Sequence, residues 1–337
     1  MKTTLRIHCC DFWPDFVPEN DVIFALLNEE FDLVMDADNP EILLYSCNGL
    51  THMNYDCVKI FITEENITPD FNLCDYAVGF DHMTFEDRYL RFPTELAKLA
   101  DLDRSLHRPK TVEEVRERKF CNFIYSNGGA DPVRDRFFHI LHAMEPVASL
   151  GRHLHNTDSD ITKRFSSDWS SGKAVIQSRY NFTIAFENSS KPGYVTEKIA
   201  HAYVAGTVPI YWGDTTVSRY INPKSFINAH DFASLEDCAR YVVELNAQPE
   251  RILDYLNEPV FVGGRVPDEL DVARLREFLC DICTRSPEER VRRTTYGNTK
   301  LYLKLRKRMS AIETRRQARN RRIRSTREFL LGRRARK

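Results

Sequence analysis

Glu197 and Lys198 stand side by side in the run NFTIAFENSSKPGYVTEKIAHAYVAGTVPIYWGD, residues 181–214, and are the pair best placed for chemistry on an anion. Phe182, Ile184 and Phe186 alternate as in a strand, Glu187-Asn188-Ser189-Ser190 and Pro192-Gly193 turn the chain, and Ile199, Ala202 and Tyr203 recur at helical spacing. The spacing predicts a helix from near Tyr194 to Ala205, a stop at Gly206, and a second strand from Val208 to Trp212. This strand-turn-helix-strand order is the layout of a nucleotide-binding α/β edge. Glu197 and Lys198 fall in the first helical turn, where unpaired backbone N–H groups and the positive end of the helix dipole favour a phosphate. Lys198 adds a full charge there, and Glu197 could instead accept from sugar hydroxyls. Spacing alone leaves open an ordinary surface helix on which both residues are solvated.

The residue types narrow the choice. The run is similar to the donor-sugar motif of the α1,3/1,4-fucosyltransferase family, roughly F-x-x-x-F-E-N-[ST]-x-x-x-x-Y-V-T-E-K-[IL] followed by a small-residue helix and a V-P-[IV] strand, with every fixed position present. Upstream, residues 119–127 read as a strand ending in a Ser-Asn turn, followed by Asp131-Pro-Val-Arg134 and an apolar-periodic helix through Phe137, Phe138 and Leu141. This resembles the opening strand of the family's donor domain, whose helix-start arginine is a phosphate ligand, a role that falls on Arg134. Residues 60–66, 75–81 and 87–91 are similar to the acceptor-side half of bacterial members, and residues 222–228 and 230–232 also fit.

The resemblance implies an inverting transfer of L-fucose from GDP-fucose to the 3-hydroxyl of N-acetylglucosamine in an N-acetyllactosamine-type glycan. An α1,4 linkage or another nucleotide sugar remains the nearest alternative. In such a reaction the leaving diphosphate gains charge and the acceptor hydroxyl loses a proton. Arg134 and Lys198 answer the first need from two helix starts, the arginine able to grip phosphate bidentately. Asn188 and Tyr194, at the mouth of the same turn, are placed to contact phosphate and donor, and Glu197 is similar to the family's ribose-binding carboxylate. Inversion puts the general base across the cleft, in the amino-terminal half. There Glu65, in Thr-Glu-Glu-Asn after the Ile60-Phe-Ile strand, resembles the catalytic glutamate of bacterial members. Its neighbour Glu64 should point away, because side chains alternate along a strand. His82 is a rival base. No cofactor or metal is required: Asp101-Leu-Asp103 and Asp158-Ser-Asp160 read as loop acids, Cys280-x-x-Cys283 lacks partner ligands, and the pairs His139/His142 and His153/His155 are insufficient.

The elements that must position these residues follow from alternating strands and helices, which indicate α/β. The resemblance implies a GT-B arrangement, two facing Rossmann-like domains with the site between them. The expected division is 1–112 for the acceptor domain, 113–290 for the donor domain and 291–337 for a tail. A chain of 337 residues with 42% hydrophobic and 29% charged content suits two globular cores. The tail differs. Residues 301–337 carry 15 Lys and Arg against Glu313 and Glu328, a net of +13 that leaves −14 on residues 1–300 of a chain totalling −1. With Ile312, Ile323 and Phe329 to Leu331 interleaved, it is expected to form an amphipathic helix on an anionic membrane surface. Nucleic-acid binding by the arginines is the physical rival and is not expected. No apolar run is long enough to span a bilayer and Met1 to His8 lacks a signal-peptide pattern, so a cytoplasmic enzyme held peripherally at the membrane is expected, with room for a homodimer.

Overall fold

Short β-rich runs, buried on both faces, set the architecture: residues 42–45, 76–79 and 180–186 are buried throughout. Parallel strands covered by helices on both sides require this pattern. The computed structural model describes residues 2–101, 107–157, 169–294 and 296–334. Six strands, β1 (Thr3–Cys10), β2 (Phe31–Met35), β3 (Ile42–Tyr45), β4 (Val58–Ile62), β5 (Tyr76–Gly79) and β6 (Tyr89–Arg91), form one sheet in the order β2-β1-β3-β4-β5-β6. Five more, β7 (Lys119–Phe123), β8 (Val147–Ser149), β9 (Tyr180–Phe186), β10 (Val208–Trp212) and β11 (Ile227–Asn228), form a second in the order β11-β10-β9-β7-β8. Every ladder within the two sheets is parallel.

The second sheet has its own core, centred on Phe123, Phe137, Phe182, Phe186 and Ile210. The first core does not stop at its own sheet. Val195, Ile199, Tyr203, Tyr211 and Val217, all from the second half of the sequence, join Leu5, Ile42, Ile60 and Leu96 in one apolar cluster. The Thr94–Asp101 helix of the first half lies against the Glu197–Val204 helix of the second. The two sheets are therefore packed together by the same helix that carries Glu197 and Lys198.

After the second sheet the chain returns to the first. The Val272–Thr284 helix lies against the Val22–Glu30 helix, burying Leu275, Leu279 and Ile282 in the first core, and Arg276 pairs with Glu29 at 2.5 Å and Glu30 at 3.1 Å. Beyond it, Arg285 and Arg292 share the carboxylate of Asp87, each at 2.5 Å. Fully buried Asp75 fastens the end of this strap: it accepts from Arg293 Nε at 2.9 Å and from the backbone N–H groups of Lys59, Arg292 and Arg293 at 2.8, 2.9 and 2.9 Å. Residues 272–294 thus pack with the first sheet although they follow the second in sequence. The tail is helical from Asn298 to Arg334, and no described helix is long and apolar enough to cross a membrane.

Removing one partner of a buried ion pair strands the other. Asp75→Ala is expected to cost about 3 to 5 kcal/mol, measured by urea unfolding, because a guanidinium and three backbone donors lose their acceptor together.

Candidate active site

Strand β9 runs out into Glu187, whose side chain is 0% exposed. A buried carboxylate must be paired, and this one finds its partners across the turn that follows. It accepts from the Thr196 N–H at 2.8 Å and the Thr196 hydroxyl at 2.6 Å, and pairs with Lys198 Nζ at 3.0 Å. The ties hold Thr196 extended, at φ −123° and ψ −167°, so the helix begins at Glu197 rather than near Tyr194. Glu197 and Lys198 still occupy its first two positions. Gly193 makes the turn at φ +86°, with the Phe80 carbonyl 2.4 Å from where a Cβ would stand, so no larger residue fits. Tyr194 packs on Phe80 at 4.8 Å between ring centroids and is nearly wholly buried in the wall between the halves.

Arg134 is the third residue of the Pro132–Met144 helix, which Asp131 caps by accepting from the Val133 N–H at 3.0 Å. Its guanidinium lies over the Tyr125 ring at 4.3 Å, donates to Asn188 Oδ1 at 3.3 Å and to the Asn127 carbonyl, and leaves Nε without a hydrogen bond among the described residues. Among the described residues the nearest anion to Nε is Asp135 at 3.8 Å. Asn188 also accepts from the Asp131 N–H through its own carbonyl, at 2.8 Å, so the two helix starts are tied to one turn.

A 510 Å³ cleft between the sheets gathers these groups: Arg134, Asn188, Tyr194, Glu197 and Lys198 line one side, and Glu64, Glu65, Trp13 and Ser46 line the other. The expectation that Glu64 points away does not hold. The strand ends at Ile62, and residues 64–66 form a bend in which strict alternation no longer applies, so both glutamates face the cleft. The bend is fixed by the Glu65 N–H donating to Thr63 Oγ1 at 3.0 Å and by Asn66 donating to Ser189 across the cleft. His82, the rival base, lies outside this lining, with Nε2 3.0 Å from Thr216 Oγ1.

Arg134, Lys198 and Glu197 charge one wall, and Glu64 and Glu65 the other. Lys198 is buried, which alone would favour the neutral amine, but Glu187 and Glu197 hold its pKa well above the usual lysine range. Glu197 keeps 38% of its side chain open, yet burial of the carboxyl itself pushes it up; Lys198 and Lys173 overcome this and hold it well below the carboxylate range. Lys173, which the sequence did not suggest, also lines the cleft and donates to His201 Nδ1 at 3.1 Å; burial lowers it to about 8, and burial with Lys173 lowers His201 to about 3. Opposite, Glu64 is exposed as a residue, yet partial loss of solvent around its carboxyl, with Glu95 and Glu197 nearby, raises it to about 8. Glu187 was legible only as a turn residue of its motif, while Lys173 had no local signal. His153 is taken up by Asp135 at 2.8 Å. Asp103, Asp158 and Asp160 lie outside the described residues, and among those described no group of three His, Cys, Asp or Glu could hold a metal ion.

Two facing parallel-sheet domains, with cationic helix starts from one and carboxylates from the other lining the cleft between them, make this a GT-B protein. Residues 7–97 match the Alpha-(1,3)-fucosyltransferase FucT N-terminal domain and residues 115–302 match Glycosyltransferase family 10 (fucosyltransferase) C-term. The chain belongs to glycosyltransferase family 10, the fucosyltransferases. It is 33% identical over 295 residues to Alpha-(1,3)-fucosyltransferase FucT of Helicobacter pylori, covering 75% of this chain and 60% of that protein. It is 43% identical over 133 residues to 3-galactosyl-N-acetylglucosaminide 4-alpha-L-fucosyltransferase FUT3 of Homo sapiens, covering 39% of this chain and 34% of that one. It thus spans less than two thirds of the length of either relative. The crystal structure of an alpha1,3-fucosyltransferase with GDP-fucose superposes with a TM-score of 0.70 at 26% identity, over 85% of this chain and 92% of the other.

A carboxyl held at about 8 retains its proton in the folded state while the unfolded chain, near 4.5, has lost it. Between those values the folded state binds more protons, so this group's contribution to stability falls as pH rises. Glu64→Gln is expected to unfold at a higher temperature than the wild type at pH 8.5, with the gap closing by pH 5, in paired thermal scans.

Proposed function

We propose that this chain transfers L-fucose from GDP-β-L-fucose, with inversion, to the 3-hydroxyl of N-acetylglucosamine in an N-acetyllactosamine-type glycan. The observation that carries the reading is the opposition, in one cleft, of Lys198 and Arg134 at two helix starts to Glu65 on the far wall. In this mechanism the diphosphate docks against the two cations and the N–H groups of both helix ends. Lys198 exchanges its contacts with Glu187 and Glu197 for phosphate oxygens, and Glu197 is freed to accept from the ribose hydroxyls. Asn188 and Tyr194 orient the donor. As the bond from the anomeric carbon to the diphosphate breaks, the sugar gains oxocarbenium character and the leaving oxygens gain charge, which fixed cations stabilise without reorganisation. The acceptor oxygen attacks from the opposite face and its proton passes to Glu65.

The Helicobacter pylori relative is described as an α1,3 enzyme and the human relative as an α1,4 enzyme; both similarities favour fucose transfer, and the first, which extends over both halves, favours the 3-hydroxyl. With two lysine or arginine charges on the diphosphate, the reaction needs no metal or other cofactor. The tail is proposed to rest on anionic membrane: Leu301, Leu305, Met309 and Ile312 stand exposed at helical spacing on one side of its helix, among basic residues. That would hold the enzyme peripherally at the inner face, near a lipid-borne acceptor.

Incubation with GDP-fucose and N-acetyllactosamine, with and without chelator, is expected to yield fucose α1,3-linked to N-acetylglucosamine in both cases, read by NMR. An α1,4 product would change the linkage, and no product from several acceptors would reject the activity. Lys198→Ala and Arg134→Ala are each expected to weaken GDP binding roughly tenfold to hundredfold by calorimetry, as charge-assisted contacts worth about 1.5 to 3 kcal/mol are lost. Glu65→Ala should bind GDP normally and lose about 10² to 10⁴ in kcat; unchanged turnover would move the base to His82 or Glu64.

A further inference from the structure

A second cavity, of 630 Å³, shares no lining residue with the cleft and lies between the first sheet's domain and the Asn298–Arg334 helix. Among the described residues, six cations line it, Lys59, Arg293, Lys300, Lys304, Lys307 and Arg308, against one carboxylate, Asp56. That carboxylate is already engaged by Lys307 at 3.5 Å, and Arg293 is committed to Asp75 and to the Cys57 carbonyl at 2.7 Å. Lys59 is different in kind. It is the second residue of strand β4, is 4% exposed as a whole residue, and its ammonium, which meets solvent only at the cavity, has no hydrogen bond or ion pair to any described residue. The backbone N–H of the same residue is satisfied by Asp75, so only the side chain is left over.

A buried charge is unfavourable unless something pairs with it. Here burial, then the fields of Arg293 and Lys307, lower the amine to about 8, the mark of a cation with too little negative charge around it. The neighbouring cations worsen the position of Lys59 while the cavity is empty and improve it once an anion enters. An anion of two or more charges fits this excess better than a carboxylate, and the volume leaves room for a group attached to it. Met53, Leu73 and Leu303, in the same wall, would meet the aliphatic part of that group.

We propose that this cavity binds a phosphate or diphosphate monoester, with Lys59 as its buried cation and the Asn298–Arg334 helix as its outer wall. The site is separate from the cleft and does not depend on the reaction proposed there. The phosphate could belong to a lipid headgroup or to a soluble compound, and both have the same recognition chemistry.

The test is calorimetric titration of the full chain with inorganic pyrophosphate. Binding at this site is expected to survive Lys198→Ala, which removes the lysine of the cleft, and to fall at least tenfold in Lys59→Met and severalfold in Lys304→Ala. Lys304 is exposed, so its variant keeps the test open if Lys59→Met does not fold. Without ligand, Lys59→Met should unfold at or above the wild-type temperature, since an unpaired buried charge is lost; a lysine with a purely structural role would give a lower one. Flotation with phosphatidylcholine vesicles, with and without phosphatidic acid, separates the sources. Capture by phosphatidic acid that Lys59→Met abolishes assigns the site to a lipid, and pyrophosphate binding alone assigns it to a soluble ester. Absence of saturable binding to either, or affinities unchanged in both the Lys59 and Lys304 variants, overturns the proposal.

Discussion

The cleft is organised around a carboxylate that has no access to water. Glu187 ends the central strand of the second sheet at complete burial, and its partners are the N–H and hydroxyl of Thr196 and the ammonium of Lys198. Those bonds close the turn between strand and helix, so they determine where the helix starts and how far its first turn reaches into the cleft. A lysine at a helix start would otherwise be a mobile surface charge. Thr196 Oγ1 at 2.7 Å, Glu187 at 3.0 Å and Glu197 at 3.3 Å hold it instead as a charge of fixed position. Preorganisation of this kind spares a bound ligand the cost of ordering the group that receives it.

The same helix also joins the halves. Its apolar face, with Val195 just before it, enters the core of the first sheet, and its polar start faces the cleft, so packing and binding geometry are set by one element. The Phe80 carbonyl against Gly193 and the Asn66 bond to Ser189 complete the contact on either side of the cleft. Carboxylates on one wall thus stand at a distance from cations on the other that the apolar contacts fix.

Much of this was legible in the sequence, because strand, turn and helix start follow one another without interruption over residues 181–214. Local periodicity gave β9, β10 and the first-turn positions of Glu197 and Lys198. It placed the helix start three residues early, since the competing force was the bond from Thr196 to Glu187, a side-chain contact nine residues back that has no periodic signature. It put Glu64 on the wrong side for a related reason: alternation holds only while the strand lasts, and the strand stops at Ile62. Lys173 and the return of residues 272–294 to the first sheet were invisible for another reason. Both depend on contacts between segments far apart in the chain, and a single sequence states which residues are apolar but not which apolar surface they meet.

That return has a consequence for how the molecule can be taken apart. A fragment holding only the first ninety or so residues would lack the Val272–Thr284 helix and the arginines that close on Asp87 and Asp75, leaving one flank of its core open and two carboxylates bare. The complementary fragment would carry that helix with nothing to cover Leu275, Leu279 and Ile282, and would expose Val195, Ile199 and Tyr203 as well. Each piece contains a whole sheet, but neither contains the whole of the apolar cluster around the first one. During synthesis the apolar cluster around the first sheet can therefore be completed only once residues up to Cys283 have emerged.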